Sequence, residues 1–286
     1  MDQRIMDLDG EYSHAGMNRR SFMERITQLA GGTAAAVGLL PDLESGLARA
    51  QTIAADDSRL TTSRTEYDAA GVKISGYLAR LKGGEKRPAV LVIHENRGLN
   101  AHIQDVARRL AVEGFLALAP DMLSPLGGTP TDENSATKMI GSLKPEETVA
   151  RLAAGVAFLA RHAESTGKVG VVGFCWGGGN VNRLAAAGTS LNAGVAYYGA
   201  QIPAADVPKI SAPLLLHYAA LDDRINAGIA DYEAALKANK KTYEIYMYEG
   251  ANHAFNNDTN PARYNKQAAD LAWDRTIKFF KKYLAS

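Results

Sequence analysis

From about residue 61 onward, the spacing of apolar positions switches repeatedly between the short period of strands and the longer period of helices. Thr61 to Tyr67 and Val72 to Leu81, separated by Asp68-Ala69-Ala70-Gly71, predict a hairpin. Ala89-Val90-Leu91-Val92-Ile93-His94 is an unbroken apolar run, as a strand covered on both faces requires. Ile103, Val106, Ala107 and Leu110 then fall on one helical face, and Gly114 to Ala119 predicts the next strand. Pro145-Glu146-Glu147 opens a helix to about His162, with proline in the first turn and acids at the positive end of the dipole. Further strands are expected at Lys168 to Phe174, Ala193 to Tyr198, Leu214 to Tyr218 and Tyr243 to Tyr248, and helices near 177–187, 228–239 and 263–283. Strand alternating with helix predicts an α/β fold with a mainly parallel central sheet and helices on both faces.

The first fifty residues have a different pattern. Asn18-Arg19-Arg20-Ser21-Phe22-Met23 sets two arginines before an apolar, uncharged run from Leu29 to Leu40, and Ala48-Arg49-Ala50 offers a small-x-small cleavage site. This order resembles a twin-arginine export signal, with Met17 a candidate start and Gln51 the expected mature N-terminus. The run is well short of the ~20 residues that span a bilayer, so no lasting membrane anchor is expected. Two parts follow: residues 1–50 as a cleaved signal handled transiently by the export machinery, and residues 51–286 as one catalytic domain, periplasmic or secreted.

Charge and cysteine content narrow the function. With 32 basic and 31 acidic side chains and a net charge of +1, the chain carries no dense basic run, which argues against nucleic acid as a partner. A single cysteine, Cys175, can form neither an internal disulfide nor a cysteine zinc cluster. A lone cysteine is ordinarily a small buried hydrophobe. Here, however, Gly173-Phe174-Cys175-Trp176-Gly177 follows a predicted strand and precedes a predicted Gly- and Ala-rich helix, the context of the strained turn that presents a nucleophile. The helix N-terminus is expected to favour thiolate at that position.

In such a turn-centred arrangement an acid and then a histidine follow the nucleophile, each after a later strand. Asp222, after Leu214 to Tyr218, and His253, after Tyr243 to Tyr248, stand in that order, with Asp223 the competing acid or a helix cap. His217, inside a strand, and His162, at a helix end, read as structural. His94-Glu95-Asn96-Arg97 ends the early strand where a second oxyanion N–H is expected, nominating the backbone amides of Trp176 and Asn96. Trp176 and the Tyr197-Tyr198 pair are candidate walls of an acyl pocket.

Gly173-x-Cys175-x-Gly177-Gly178, Glu95 after the early strand, Asp222 and Asn252-His253-Ala254-Phe255 together resemble the dienelactone hydrolase family, over about Thr61 to Tyr283. The resemblance implies an α/β-hydrolase fold, a Cys-His-Asp triad acting through a thioester on a small ester or lactone, and no metal or organic cofactor. It implies for Glu95 a part in generating the thiolate when substrate arrives. The arginines with which family members hold a substrate carboxylate have no match: His253-Ala254-Phe255 runs into Asn256-Asn257, and Pro120 to Pro125 contains no arginine. Arg97 is the remaining candidate. A thioesterase or peptidase on the same scaffold, or a binding protein without turnover, are the alternatives, and oligomeric state stays open.

Overall fold

The computed structural model describes residues 52–285 together with Arg25, Thr27 and Gln28, so the expected export segment and its cleavage site lie outside the described residues but for those three positions. The hairpin forms as β1 (Leu60–Ala69) and β2 (Val72–Leu81), turning at Ala70 and Gly71, both at positive φ. Two positive φ values match the turn type whose twist suits paired strands. Then follow β3 (Arg87–Ile93), α1 (Ala101–Val112), β4 (Leu116–Pro120), α2 (Glu133–Gly141), α3 (Pro145–Arg161), β5 (Ser165–Phe174) and α4 (Trp176–Ala185). The chain is completed by β6 (Ala193–Tyr197), β7 (Leu214–Ala219), α5 (Asp223–Asn226), α6 (Ile229–Ala238), β8 (Tyr243–Tyr248) and α7 (Lys266–Leu284).

One eight-stranded sheet results, in the order β1-β2-β4-β3-β5-β6-β7-β8. Strands β3 to β8 pair in parallel, whereas β2 pairs antiparallel with both β1 and β4, so the sheet is mixed and mostly parallel. This is the α/β-hydrolase fold. Ala89 to Ile93 have no exposed surface, which is why that stretch is apolar at every position. Its side chains divide by strand period: Val90 and Val92 join Ile103, Val106 and Leu110 of α1 and Phe280 of α7, while Leu91 and Ile93 join Leu152 and Val156 of α3 and Val181 of α4.

The helix α2 was not foreseen. Its buried residues are few, Ala136 and Ile140 packing on Leu123, and its start is capped by Asp132, whose side chain accepts from the Ser135 N–H. Two apolar contacts in nine residues make too faint a helical stripe to read.

One cluster of buried charge lies on α1. Asp105, with no exposed surface, accepts the backbone N–H groups of Thr52 at 3.1 Å and Ile53 at 2.8 Å and the Arg109 guanidinium. Arg108 donates to the Ile53 carbonyl and to the Tyr77 hydroxyl. Arg109 continues to Asp258, which also binds His102 Nδ1 at 2.9 Å; burial opposes ionisation of Asp258, but these partners hold its carboxyl below the usual range. The segment that opens the described domain is thus tied to the loop before α7. Removing one member of such a network strands the others. Asp105→Ala is therefore expected to lower the unfolding free energy by about 3–5 kcal/mol in a urea titration, far more than an exposed ion pair would.

Candidate active site

Three strand ends converge on Cys175. The residue sits between β5 and α4 with φ 54° and ψ −112°, a conformation that costs a non-glycine residue about 1–3 kcal/mol. Neighbouring backbone holds it there: the Cys175 N–H donates to the Tyr197 carbonyl at 3.0 Å, and the Gly179 N–H to the Cys175 carbonyl at 3.1 Å. Glycine is required on both sides. A Cβ on Gly173 would lie 2.3 Å from the Gly177 carbonyl oxygen, and one on Gly177 would lie 2.3 Å from that of Ile93. The turn is compressed against its own helix and the end of β3, and only absent side chains permit it.

After β7, Asp222 occupies the N-cap position of α5 without capping it. Its carboxylate meets His253 Nδ1 at 2.5 Å, and Asp222 is 7% exposed. Asp223, in the first turn of α5, is exposed. Of the two acids, Asp222 is the one joined to the histidine, and the expected capping by Asp223 is not seen. With Nδ1 bonded to a carboxylate, the lone pair of the imidazole falls on Nε2. Among the described residues no hydrogen bond joins the Cys175 sulfur to His253.

Glu95, 4% exposed, leaves the end of β3 and is held at both oxygens: Asn257 Nδ2 donates to Oε2 at 2.6 Å, and the Tyr198 hydroxyl to Oε1 at 3.4 Å. His94, also buried, donates from Nδ1 to the Glu95 carbonyl at 2.6 Å and accepts the Met122 N–H at Nε2. Burial holds the His94 imidazole below its usual pKa, and its ring stacks on Trp176 with centroids 5.2 Å apart. The following loop is anchored by Thr129, whose hydroxyl accepts the Leu99 N–H and donates to Asp121. Asn96 rides on this loop, and its N–H has no hydrogen-bond partner among the described residues.

Arg97 pairs with Glu133 at the start of α2, at 2.6 Å. Any anion it took up would have to displace Glu133. Two arginines not singled out from the sequence, Arg224 of α5 and Arg263, line a cavity of about 310 Å³ with Leu221, Asp222, Asn252 and His253. Neither side chain has an ion-pair or hydrogen-bond partner among the described residues. The sequence presents Tyr197 and Tyr198 as one pair of pocket walls, but the two differ. Tyr197 is core, bonded to Thr276, whereas Tyr198 has φ 40°, reaches Glu95 and packs on the His253 ring at 5.1 Å. His217 is structural: it is buried between Thr276 and Tyr248, and burial pulls its pKa down to about 3. His162 caps the end of α3.

The profile of the dienelactone hydrolase family matches residues 74–284. The chain belongs to the dienelactone hydrolase family. A Methylorubrum extorquens protein, provisionally named a carboxymethylenebutenolidase, is 31% identical over 292 residues, covering 97% of each chain. A crystal structure of a provisional dienelactone hydrolase from Klebsiella pneumoniae aligns with a TM-score of 0.72 and 30% identity, over 78% of this chain and 99% of that one. A dienelactone hydrolase-like promiscuous phosphotriesterase from metagenomic libraries aligns at 0.71 with 26% identity, over 79% and 100%. As a member of this family the chain is a carboxylic ester hydrolase, acting on small ester or lactone substrates. Among the described residues no helix is long and apolar enough to cross a membrane.

The thiol does not rest as the thiolate that a helix N-terminus alone would favour. Burial pushes Cys175 from 9.0 up to about 11 and the Glu95 charge adds to this, outweighing the Trp176 N–H and Arg224, which pull downward. An acid raised in the fold stays neutral in a window where the unfolded chain already ionises, so its contribution to stability is lost as pH rises from 9.0 toward about 11. Iodoacetamide alkylation of the substrate-free protein should accelerate with pH up to about 11 rather than levelling off near 9.0. A plateau at or below pH 9 would show an exposed or activated thiol instead.

Proposed function

We propose that the chain hydrolyses its ester or lactone through Cys175, His253 and Asp222, by way of a thioester on Cys175. The observation that carries this is the short His253–Asp222 contact, which leaves Nε2 as the only basic nitrogen of the ring, together with the strained presentation of the neighbouring thiol. Cys175 Sγ adds to the substrate carbonyl as its proton passes to His253 Nε2, and Asp222 stabilises the imidazolium. The tetrahedral oxyanion is received by the N–H groups of Trp176 and Asn96. Collapse breaks the bond to the leaving oxygen, which takes the proton from His253 and departs as an alcohol or, from a lactone, as an enol or hydroxyl still on the acyl chain. Water, deprotonated by His253, then cleaves the thioester and restores the thiol.

The family likeness implies that Glu95 helps generate the thiolate when substrate arrives; in the substrate-free protein its charge acts the other way and raises the Cys175 pKa. Selection of a carboxylate-bearing substrate falls to Arg224 and Arg263, which have no partner among the described residues and share a cavity with His253, rather than to Arg97, which is paired with Glu133. Guanidinium groups offer a fork that matches a carboxylate. Residues 1–50 direct export by the twin-arginine route, supported by the order of Arg19-Arg20, the apolar run and Ala48-Arg49-Ala50; protein recovered outside the cytoplasm would then begin at Gln51.

Rapid mixing with p-nitrophenyl acetate should give a burst of nitrophenolate matching the enzyme concentration, followed by slower turnover. Cys175→Ala should abolish the burst and reduce turnover by about 10³-fold or more. Given a carboxylate-bearing ester, Arg224→Ala with Arg263→Ala should raise KM about tenfold or more and leave acetate hydrolysis little changed. Near-native turnover in Cys175→Ala would exclude the thioester route, and no turnover of any ester by the native protein would favour a binding role.

A further inference from the structure

Glu95 is a carboxylate buried beside a half-buried thiol, an arrangement that needs an explanation of its own, because a buried anion is stable only where donors surround it. The strongest donor is Asn257. Its orientation is fixed from behind: Asn257 Oδ1 accepts both the Thr259 N–H at 3.0 Å and the Thr259 hydroxyl at 2.6 Å. With the oxygen so engaged, the amide can turn only its NH₂ toward Glu95, which it meets at 2.6 Å. Asn257 is itself 3% exposed. The next residue, Asp258, is pinned by His102 and Arg109 of α1. The amide is thus mounted on a loop that cannot drift without breaking the charge network of α1.

We infer that Asn257 is a positioning residue that locks Glu95 in place against Tyr198, so that Glu95 acts on Cys175 as a fixed anion rather than as a group that swings to the sulfur. This rests on the reading of Cys175 as the nucleophile. The groups facing the sulfur are Glu95 from the end of β3, the Trp176 N–H of α4, Tyr198 after β6, and Asp222 and Arg224 from the β7–α5 turn, with His253 across from Tyr198. Glu95 and Asp222 disfavour thiolate, whereas Arg224 and the Trp176 N–H favour it. A buried carboxylate that loses its principal donor turns toward other donors or water, and that movement weakens its hold on the thiol.

The test is the pH profile of iodoacetamide alkylation of Cys175, read for the native chain, Glu95→Gln, Asn257→Leu and Thr259→Val. Glu95→Gln should lower the alkylation midpoint by about half a unit or more. Asn257→Leu should move it in the same direction, Thr259→Val should produce a smaller shift of the same sign, and the double variant Glu95→Gln with Asn257→Leu should add nothing beyond Glu95→Gln alone. Should Asn257→Leu fail to fold, Thr259→Val and its combination with Glu95→Gln carry the same test. A midpoint unmoved by Asn257→Leu or Thr259→Val while Glu95→Gln shifts it overturns the positioning role, and so does a midpoint unmoved by Glu95→Gln. Alkylation needs no ester, so failure of the hydrolytic reading in the burst assay is seen separately from failure here.

Discussion

The backbone turn at Cys175 is the constraint on which the site depends. A cysteine at φ 54° is unfavourable in isolation and persists because Tyr197, Gly177 and the end of β3 close around it. The nearest contacts at Gly173 and Gly177 are to backbone, so neither could accept even a methyl group without parting β5 from α4 or α4 from β3. The flanking apolar strands give that turn its rigidity. Ala89 to Ile93 and Val169 to Phe174 are buried at every position, and the two layers of helices that bury them leave the strand ends no freedom to relax. The strain is therefore held by packing energy from the whole domain.

Around that turn the electrostatics are opposed rather than uniformly activating. Burial and Glu95 keep the thiol protonated, and the helix N–H groups and Arg224 oppose them without prevailing. A protonated resting thiol is protected between turnovers, since thiolate is the form that oxidises. In the mechanism we propose, that proton leaves when substrate binds and passes to His253, whose Nδ1 is held by Asp222. The same logic assigns a purpose to the ion network of α1: by fixing Asp258 it fixes the loop from which Asn257 reaches Glu95.

Much of this was legible in the residues. The strand β2 and the strand β8 fall where their alternation placed them, and the order of Cys175, Asp222 and His253 follows from one apolar run after another ending in polar residues. The features without a local signature are those that depend on the third dimension. Asn257 drew attention only as the place where an arginine was missing, because nothing local tells an amide that binds a carboxylate 162 positions away from a turn residue. Tyr198 at positive φ has no local signature either. Arg224 and Arg263 are separated by 39 positions in sequence and meet at one cavity only because β8 and the His253 loop fold back on α5. Arg97 could be nominated from its neighbourhood, but its partner Glu133 belongs to α2, a helix with too few apolar contacts to announce itself.

In the mechanism we propose, the turn presents Cys175 Sγ as the atom that takes the acyl group. Intact-mass and peptide-mapping spectrometry of protein quenched in acid during turnover of a slow ester tests it most directly. The account predicts one added acyl mass per chain, located on the peptide containing Cys175, appearing in the native protein and accumulating further in Asp222→Asn, where the imidazole is less able to activate water. An acyl group found on another side chain, or steady turnover with Cys175 unmodified at every time sampled and in both proteins, would contradict it.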